Sequence, residues 1–436
     1  MAVETEQLSD LVGVGKVHRR FYADPDVFRV ELDRIFGRAW LWLGHESQVE
    51  QKGDFFTARM GHNRIIVARH DDGKIHAFHN RCTHRGAEVC ARPSGHADHF
   101  ECPYHAWTFG TDGALKSVPM PKGYEDGFEQ RAASLALEPV ARVASYRGFI
   151  FGNKSADVDD LETFLGADVC AAFDNMVDRA PDGKIEMAGG VTTQRYRANW
   201  KLQIENSIDL LHPRILHASA VDAADLVDHD GAEPSIEWDT VKSNGLSFGD
   251  WDRMPIATLP RGHCWMGGFL TKSIDEDAEK LSAQDGEGWR AVQARYRKIM
   301  TDRLGAERAG EILAFNRHNT IVYPNLFVNS RLAQIRVLQP VAVDCTEQHG
   351  YTFRLAGAPP EMFEASIRMV TTNNSPSSIV TTDDHEIFER IQETLETGDG
   401  EWEDWSRGLH EDRSEGTNEI AMRNQHLAWA EYMGEA

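Results

Sequence analysis

Two cysteine–histidine pairs constrain this chain more than any other feature. Cys82-Thr83-His84 is followed, after seventeen intervening residues, by Cys102-Pro103-Tyr104-His105. Each pair sits among turn-forming residues, Gly86 beyond the first and Pro103 inside the second. Two such loops brought together offer two thiolates and two imidazoles. Tetrahedral zinc accepts that set. So does a [2Fe–2S] cluster in which one iron takes both cysteines and the other both histidines. Zinc motifs usually pair Cys with Cys and His with His, whereas here the two types alternate, which suits a cluster that sorts its ligands by iron. A zinc knot, or buried cysteines with unrelated surface histidines, are the plain alternatives.

The surrounding text is β-rich, predicting a small all-β domain over 38–155. Phe55-Phe56 and the apolar run 64–68 read as strands, and Asp71-Asp72-Gly73-Lys74 predicts a hairpin turn answered by 75–78. Trp107-Thr108-Phe109 before Gly110-Thr111-Asp112-Gly113 predicts a second hairpin, and 146–152 closes the stretch. Residues 1–37 form a polar, mobile tail of a dozen residues and a short helix. Asp24 is its N-cap and Pro25 its first position, Phe28, Leu32, Ile35 and Phe36 follow at helical spacing, and Gly37 stops it. Over 156–436 the periods mix, with helices expected at 159–170 and 287–309 and strands at 321–327, 332–338 and 351–356. Elements in blocks favour α+β with an antiparallel sheet over a doubly wound fold. The acidic stretches 275–279 and 396–404 read as solvated loops. No Gly-rich dinucleotide fingerprint or P-loop is present, so nothing points to a flavin or nicotinamide module.

A second constellation follows Asn199-Trp200-Lys201 and Glu205-Asn206: Asp209, His212 and His217. On a helix Asp209 and His212 share a face, so the carboxylate can accept a hydrogen bond from the ring and free its other nitrogen for a metal. Pro213 predicts a bend or helix end between the histidines. Two histidines and a carboxylate with open positions left over form the facial triad of oxygen-activating Fe(II) sites. The candidate carboxylate lies in Thr381-Thr382-Asp383-Asp384-His385-Glu386. Asp383 with Glu386 reads as a capping box for a helix carrying Ile387, Ile391 and Leu395, which leaves Asp384 to face a metal. Taken alone, His212 and His217 read more readily as ordinary core or surface histidines than as ligands.

Together the two sets resemble the Rieske non-haem iron oxygenases. The first matches the Rieske signature Cys-x-His-x17-Cys-x2-His with its Arg85-Gly86 and Trp107. The second resembles the mononuclear iron motif of aromatic ring-hydroxylating oxygenase α subunits, and the likeness runs on to Glu419, Arg423 and Trp429. High-potential Rieske proteins carry an extra cysteine in each loop; Ala87 and Tyr104 stand there instead, which excludes that subclass. The resemblance implies that Cys82, His84, Cys102 and His105 hold a [2Fe–2S] cluster. It implies that His212, His217 and Asp384, or Asp383 in its place, hold Fe(II), with O2 as co-substrate. Asp209 would bridge His212 to His105 of a neighbouring subunit. One departure is Leu211, where the family usually has Tyr.

The same resemblance implies a helix-grip catalytic domain over 156–436 and a ring-shaped homotrimer, commonly with a small β subunit (α3β3). Electrons from NAD(P)H would arrive through a ferredoxin and/or ferredoxin reductase. The flavour is that of oxygenases acting on benzoate-like, salicylate-like or terephthalate-like aromatic acids, most simply by cis-dihydroxylation. A Rieske monooxygenase, hydroxylating a ring or demethylating, uses the same ligands. A Rieske electron carrier and a zinc-stabilised binding protein are the non-enzyme readings. Residues 205–220 and 315–338 should line the pocket, and an anionic substrate calls for a pocket Arg or Lys that the sequence does not single out.

Charge narrows the partners. With 46 basic against 69 acidic residues, a net −23, the chain would be repelled by nucleic acid and anionic membranes and suits a docking protein with a basic patch. It has no apolar run of membrane-span length and no signal-peptide start, and six cysteines are too sparse for a disulfide scaffold. A soluble, cytoplasmic protein is expected, with Cys90, Cys170, Cys264 and Cys345 as core thiols.

Overall fold

The computed structural model describes residues 8–124, 128–229, 236–267, 287–315, 317–398, 400–411 and 415–434. The acidic stretch at 275–279 lies outside them. The chain forms two compact units, Phe36–Phe164 and a second made of the described residues up to Ile35 with those from Leu165 onward.

The first unit is built from short antiparallel strands. Ile75–His79, Asn63–Arg69, Asp54–Met60 and Ser94–His96 form one sheet in that order. Leu115–Ser117, Thr108–Gly110 and His99–Glu101 form a second, and Arg142–Tyr146, Phe149–Asn153 and Leu41–His45 a third. Phe55, Ile66, Ala68, Phe78, Phe100 and Phe109 pack into one core beneath Cys82, Cys102 and Trp107. The segment 146–152 is the turn and outgoing strand of a hairpin. The chain reverses at Arg147-Gly148 with positive φ at both, and a Cβ on Gly148 would come within 2.6 Å of the His45 ring.

The second unit is α+β, as the blocks of elements predict. Its seven-stranded antiparallel sheet runs Ile185–Tyr196, Cys345–Leu355, Gln334–Ala342, Leu326–Asn329, Arg317–Val322, Cys264–Gly267, Ile256–Thr258. Three sequence expectations need correction. The helix expected over 287–309 is two, Glu287–Leu304 and Ala306–Ala314, broken at Gly305 where φ is +82°. The strand expected over 321–327 is a hairpin: Arg317–Val322 turns through Tyr323-Pro324-Asn325 and returns as Leu326–Asn329, with Val322 opposite Leu326, and Pro324, which has no N–H for a ladder, sits in the turn. The stretch 396–404 is no simple loop. The helix Thr381–Thr397 enters it, and Trp402–Asp404 pairs with Lys16–His18, so the end of the presumed tail is built into a small sheet with Val12–Gly13.

The helix Pro25–Arg34 starts as predicted, with the Asp24 carboxylate accepting from the Asp26 N–H at 2.8 Å. Its apolar spacing hides a second fact: Glu31 is fully buried. The indole N–H groups of Trp200 and Trp429 donate to it at 2.9 and 2.7 Å, and the equally buried Lys201 ammonium pairs with it. Lys201 also lies over the Phe21 ring, 4.6 Å from its centroid. An ion pair this deep repays its desolvation only when the remaining lone pairs are used, and the two indoles use them. Replacing Glu31 by Ala strands the Lys201 charge, so we expect a loss of about 3–5 kcal/mol in denaturant unfolding. Combining it with Lys201→Met should recover part of that loss; no recovery would mean that the pair is not the cause.

Candidate active site

The two Cys/His loops are folded alike. Cys82 N–H donates to Ala87 and Gly86 N–H returns to Cys82, both at 2.8 Å, while Cys102 N–H donates to Trp107 at 2.8 Å and Ala106 N–H returns to Cys102 at 2.9 Å. Gly86 and Ala106 make the bend possible at φ +74° and +53°. Each loop thereby buries its cysteine and lifts its histidine to the rim. The His84 and His105 rings lie 4.7 Å apart, and His84 stacks flat on Trp107 at 4.8 Å. Burial, together with the neighbouring Cys102, pushes the Cys82 thiol above its ordinary range. Burial and the nearby His105 hold His84 below its own, so it stays neutral. His105 Nδ1 is buried without a hydrogen-bond partner among the described residues. Two buried cysteines side by side, two imidazoles at the rim above them and an orphaned ring nitrogen fit a metal cluster far better than a hydrophobic core.

The second centre is assembled in the catalytic unit. The helix Trp200–Asn206, capped by the Asn199 side chain, stops at Asn206, and Pro213–Leu216 starts afresh with Pro213 at its first position. Asp209 and His212 therefore lie in the connection between two helices, and not on one helix as their spacing predicts. The contact forms all the same, with Asp209 Oδ2 3.2 Å from His212 Nδ1. The Leu211 N–H bonds the other carboxylate oxygen at 2.7 Å. Burial opposes the charge on Asp209, but His212 and the backbone N–H outweigh it and hold the carboxyl below its ordinary range.

Thr381–Thr397 brings up the distal carboxylates in its first turn. Its N-terminus is capped by Ser378, whose hydroxyl accepts from Val380 and Thr381 N–H at 2.9 and 3.0 Å. Asp383 does not cap, contrary to the sequence pattern; its Oδ2 meets His217 Nδ1 at 3.3 Å. Asp384 Oδ1 stands 3.4 Å from His217 Nε2 and 3.7 Å from His212 Nε2. One ligand atom each from His212, His217 and Asp384 lies within 4.8 Å of the other two.

This arrangement has a definite polarity. A carboxylate engages the Nδ1 of each histidine, so both Nε2 atoms face inward with Asp384. The Asn206 amide nitrogen lies 3.1 Å from both His212 Nε2 and Asp384 Oδ1, so its N–H groups solicit the lone pairs a cation would use. Burial opposes a charge on His217, but Asp384 and Asp383 prevail and raise its pKa. The extra proton is one that a divalent ion would displace. Two imidazole nitrogens and one carboxylate, with space beside them, suit Fe(II).

That space is a cavity of about 120 Å³ whose lining includes His212, His217 and Asp384 together with His318, Gln334 and Arg336. Both predicted wall segments contribute. The sequence reading did not flag the share taken by the helix Pro360–Asn374, through Met369 and Asn373, or the character of His318. Burial and the neighbouring Arg336 pull its pKa down to about 3, so it stays neutral. A usable signal was present in Gln334-Ile335-Arg336-Val337, a strand with polar residues on alternate positions where a buried sheet would be apolar.

Comparison with known proteins decides the class. Residues 39–145 match the Rieske [2Fe-2S] domain family, and residues 180–435 match the catalytic domain of the ring hydroxylating alpha subunit. The chain belongs to the ring-hydroxylating oxygenase α-subunit family. This α subunit is 33% identical to the toluate 1,2-dioxygenase subunit alpha of Pseudomonas putida, over 94% of its own length and 86% of the relative's. It is 30% identical to the anthranilate 1,2-dioxygenase large subunit of Acinetobacter baylyi, over 92% and 81%. In fold it resembles naphthalene 1,2-dioxygenase from Rhodococcus sp., with a TM-score of 0.77, 24% identity and 99% of each chain covered. It also resembles naphthalene 1,2-dioxygenase with indole bound, with a TM-score of 0.79, 24% identity and 99% and 95% covered.

The α subunit is thus an oxidoreductase of the Rieske type, whose domains use a [2Fe–2S] cluster and mononuclear iron. The zinc-protein and electron-carrier readings fall away. No helix among the described residues is long and apolar enough to cross a membrane. The geometry separates the two distal carboxylates by experiment. Asp384→Asn should abolish iron retention at this centre. Asp383→Asn, which loses only the bond to His217 Nδ1, should weaken Fe(II) affinity by about 10–100-fold. Equal losses in metal titrations would show that the two carboxylates have no separate roles.

Proposed function

We propose that this α subunit is a terminal oxygenase that cis-dihydroxylates a carboxylated aromatic ring. In this reading Cys82, His84, Cys102 and His105 hold the [2Fe–2S] cluster of a Rieske domain spanning 38–155. The catalytic domain spans 156–436, preceded by the N-terminal helix of 1–37, and His212, His217 and Asp384 hold Fe(II) in it. The observation that carries the proposal is the inward-facing His212–His217–Asp384 group beside a cavity. The relatives named for toluate and anthranilate support an aromatic acid as substrate.

Iron held by His212, His217 and Asp384 would supply the site for O2, and a cluster held by Cys82, His84, Cys102 and His105 would supply electrons one at a time. The reaction balances as arene, O2, two electrons and two protons giving a cis-dihydrodiol, with NAD(P)H as ultimate donor through a ferredoxin and/or ferredoxin reductase. The protein's own residues do the positioning. Asp209 and Asp383 fix the histidine tautomers, and neutral His318 offers a hydrogen bond to the substrate without a competing charge. The relatives are named as subunits, which supports a multimer. We assign an α3 trimer, alone or with a small β subunit, in which Asp209 links His212 to His105 of a neighbouring subunit. The net charge of −23 suits a carrier that docks through a basic patch. The compartment we assign is the cytoplasm.

Metal and acid-labile sulfide analysis of anaerobically purified protein is the first test, with about three irons and two sulfides expected per chain. His212→Ala should lower iron to about two and leave sulfide unchanged. Zinc without sulfide would overturn the proposal. With ¹⁸O-labelled O2, two labelled oxygens in the product are expected; one would make the enzyme a monooxygenase.

A further inference from the structure

Among the described residues, Arg336 is the single Lys or Arg lining the cavity beside the His212–His217–Asp384 group. It stands on the strand Gln334–Ala342, two residues beyond Gln334, so both side chains leave the same face of the sheet. Its position is held by neutral groups. One guanidinium nitrogen donates to Asn374 Oδ1 at 3.4 Å and another to Asn319 Oδ1 at 3.3 Å. The plane lies over the Phe327 ring, 4.9 Å from its centroid. Asn319 is itself anchored by donating to the Ser207 carbonyl at 3.1 Å. No carboxylate among the described residues forms an ion pair with Arg336. Burial lowers its pKa to about 10, partly offset by Asp384, which leaves it charged at neutral pH.

A guanidinium that is oriented by two long amide contacts and a ring, with no carboxylate in ion-pair contact, is an unusual thing to keep inside a cavity. Both amide contacts are at the weak end of the range, and a guanidinium has five N–H donors in a fork that matches a carboxylate. Gln334 adds a second donor. Its side chain is 2% exposed and its amide nitrogen has no partner among the described residues. The Asp384 carboxylate is committed to the histidines, and His318 is neutral. Asp209 is likewise engaged by His212, so among the described lining residues Arg336 is the charged group that has no hydrogen-bonded counter-charge, inside a chain whose net charge is strongly negative.

We infer that Arg336, assisted by Gln334, is the carboxylate anchor that selects an aromatic acid and orients its ring toward the His212–His217–Asp384 group. The inference rests on the oxygenase reading for the word substrate, but the anchor itself is a binding site and can be tested without turnover.

The test is equilibrium binding to the full, metal-loaded enzyme, kept anaerobic and without reductant. The probes are benzoate, 3-methylbenzoate and 2-aminobenzoate, each against its uncharged carboxamide. Wild type should prefer the acids by about tenfold or more. Arg336→Gln should weaken acid binding by about 10–100-fold while the carboxamides change far less. Arg336→Lys should restore part of the acid affinity, which a merely structural role would not. Should Arg336→Gln fail to fold, Gln334→Leu decides, with a selective loss of about threefold to tenfold for acids expected. Acids and carboxamides falling together, no change on Arg336→Gln, or no acid preference in wild type would each overturn the anchor. The two readings fail separately. Acid selectivity through Arg336 with no dihydrodiol formed would uphold the anchor and defeat the oxygenase reading. Dihydroxylation of neutral arenes without acid selectivity would do the reverse.

Discussion

The catalytic unit depends on one buried charge pair. Glu31, Lys201 and the indoles of Trp200 and Trp429 come from the N-terminal helix, the helix that leads to Asn206 and the C-terminal helix. None of these groups touches the metal donors. They fix the Trp200–Asn206 helix in place, and that helix delivers Asn206 and the chain carrying Asp209 and His212. A second buried carboxylate reinforces the same helix. Glu205 accepts from the Tyr22 hydroxyl at 2.9 Å and lies 2.8 Å from His426 Nε2. The N- and C-terminal segments thus act as a splint for a helix only seven residues long, which would not hold itself in water.

The candidate metal donors are then positioned by hydrogen bonds more than by regular secondary structure. His212 sits in an irregular connection, His217 at the end of a four-residue helix and Asp384 in the first turn of a long one. Irregular backbone leaves freedom that side chains must remove, and Asp209, Asp383 and Asn206 remove it. The Rieske loops solve the same problem differently, through paired backbone bonds and the stacking of His84 on Trp107.

Much of this was legible in the residues. Cys82, His84, Cys102 and His105 carry a spacing that few other structures would require, and the hairpin turns around them follow from Gly and Asp placement. Asp24-Pro25 marks its helix start through local chemistry alone. The failures have a common cause. Asp383 reads as a cap because its local pattern is right, yet His217, 166 residues away in sequence, competes for its oxygen while Ser378 takes over the cap. Asp209 and His212 suggest a shared helix, but Pro213 makes a new start cheaper than continuation. The role of Glu31 has no local signal at all, because its partners, Lys201 and Trp429, are distant in sequence. Long-range pairing is what a one-dimensional pattern does not contain.

Two parts of the cavity lining have separate origins. The part with the candidate metal-facing wall comes from the 206–217 connection and the helix Thr381–Thr397, while another part comes from the strands around His318 and Gln334–Ala342. A sheet accepts exchange of side chains on one face without moving its backbone, since the ladder hydrogen bonds do not involve them. Evolution can therefore retool what such an enzyme accepts by editing alternate residues of two strands, leaving the metal-facing wall as inherited. Divergence within the fold should be concentrated there, a division of labour between a fixed reagent and an interchangeable mould.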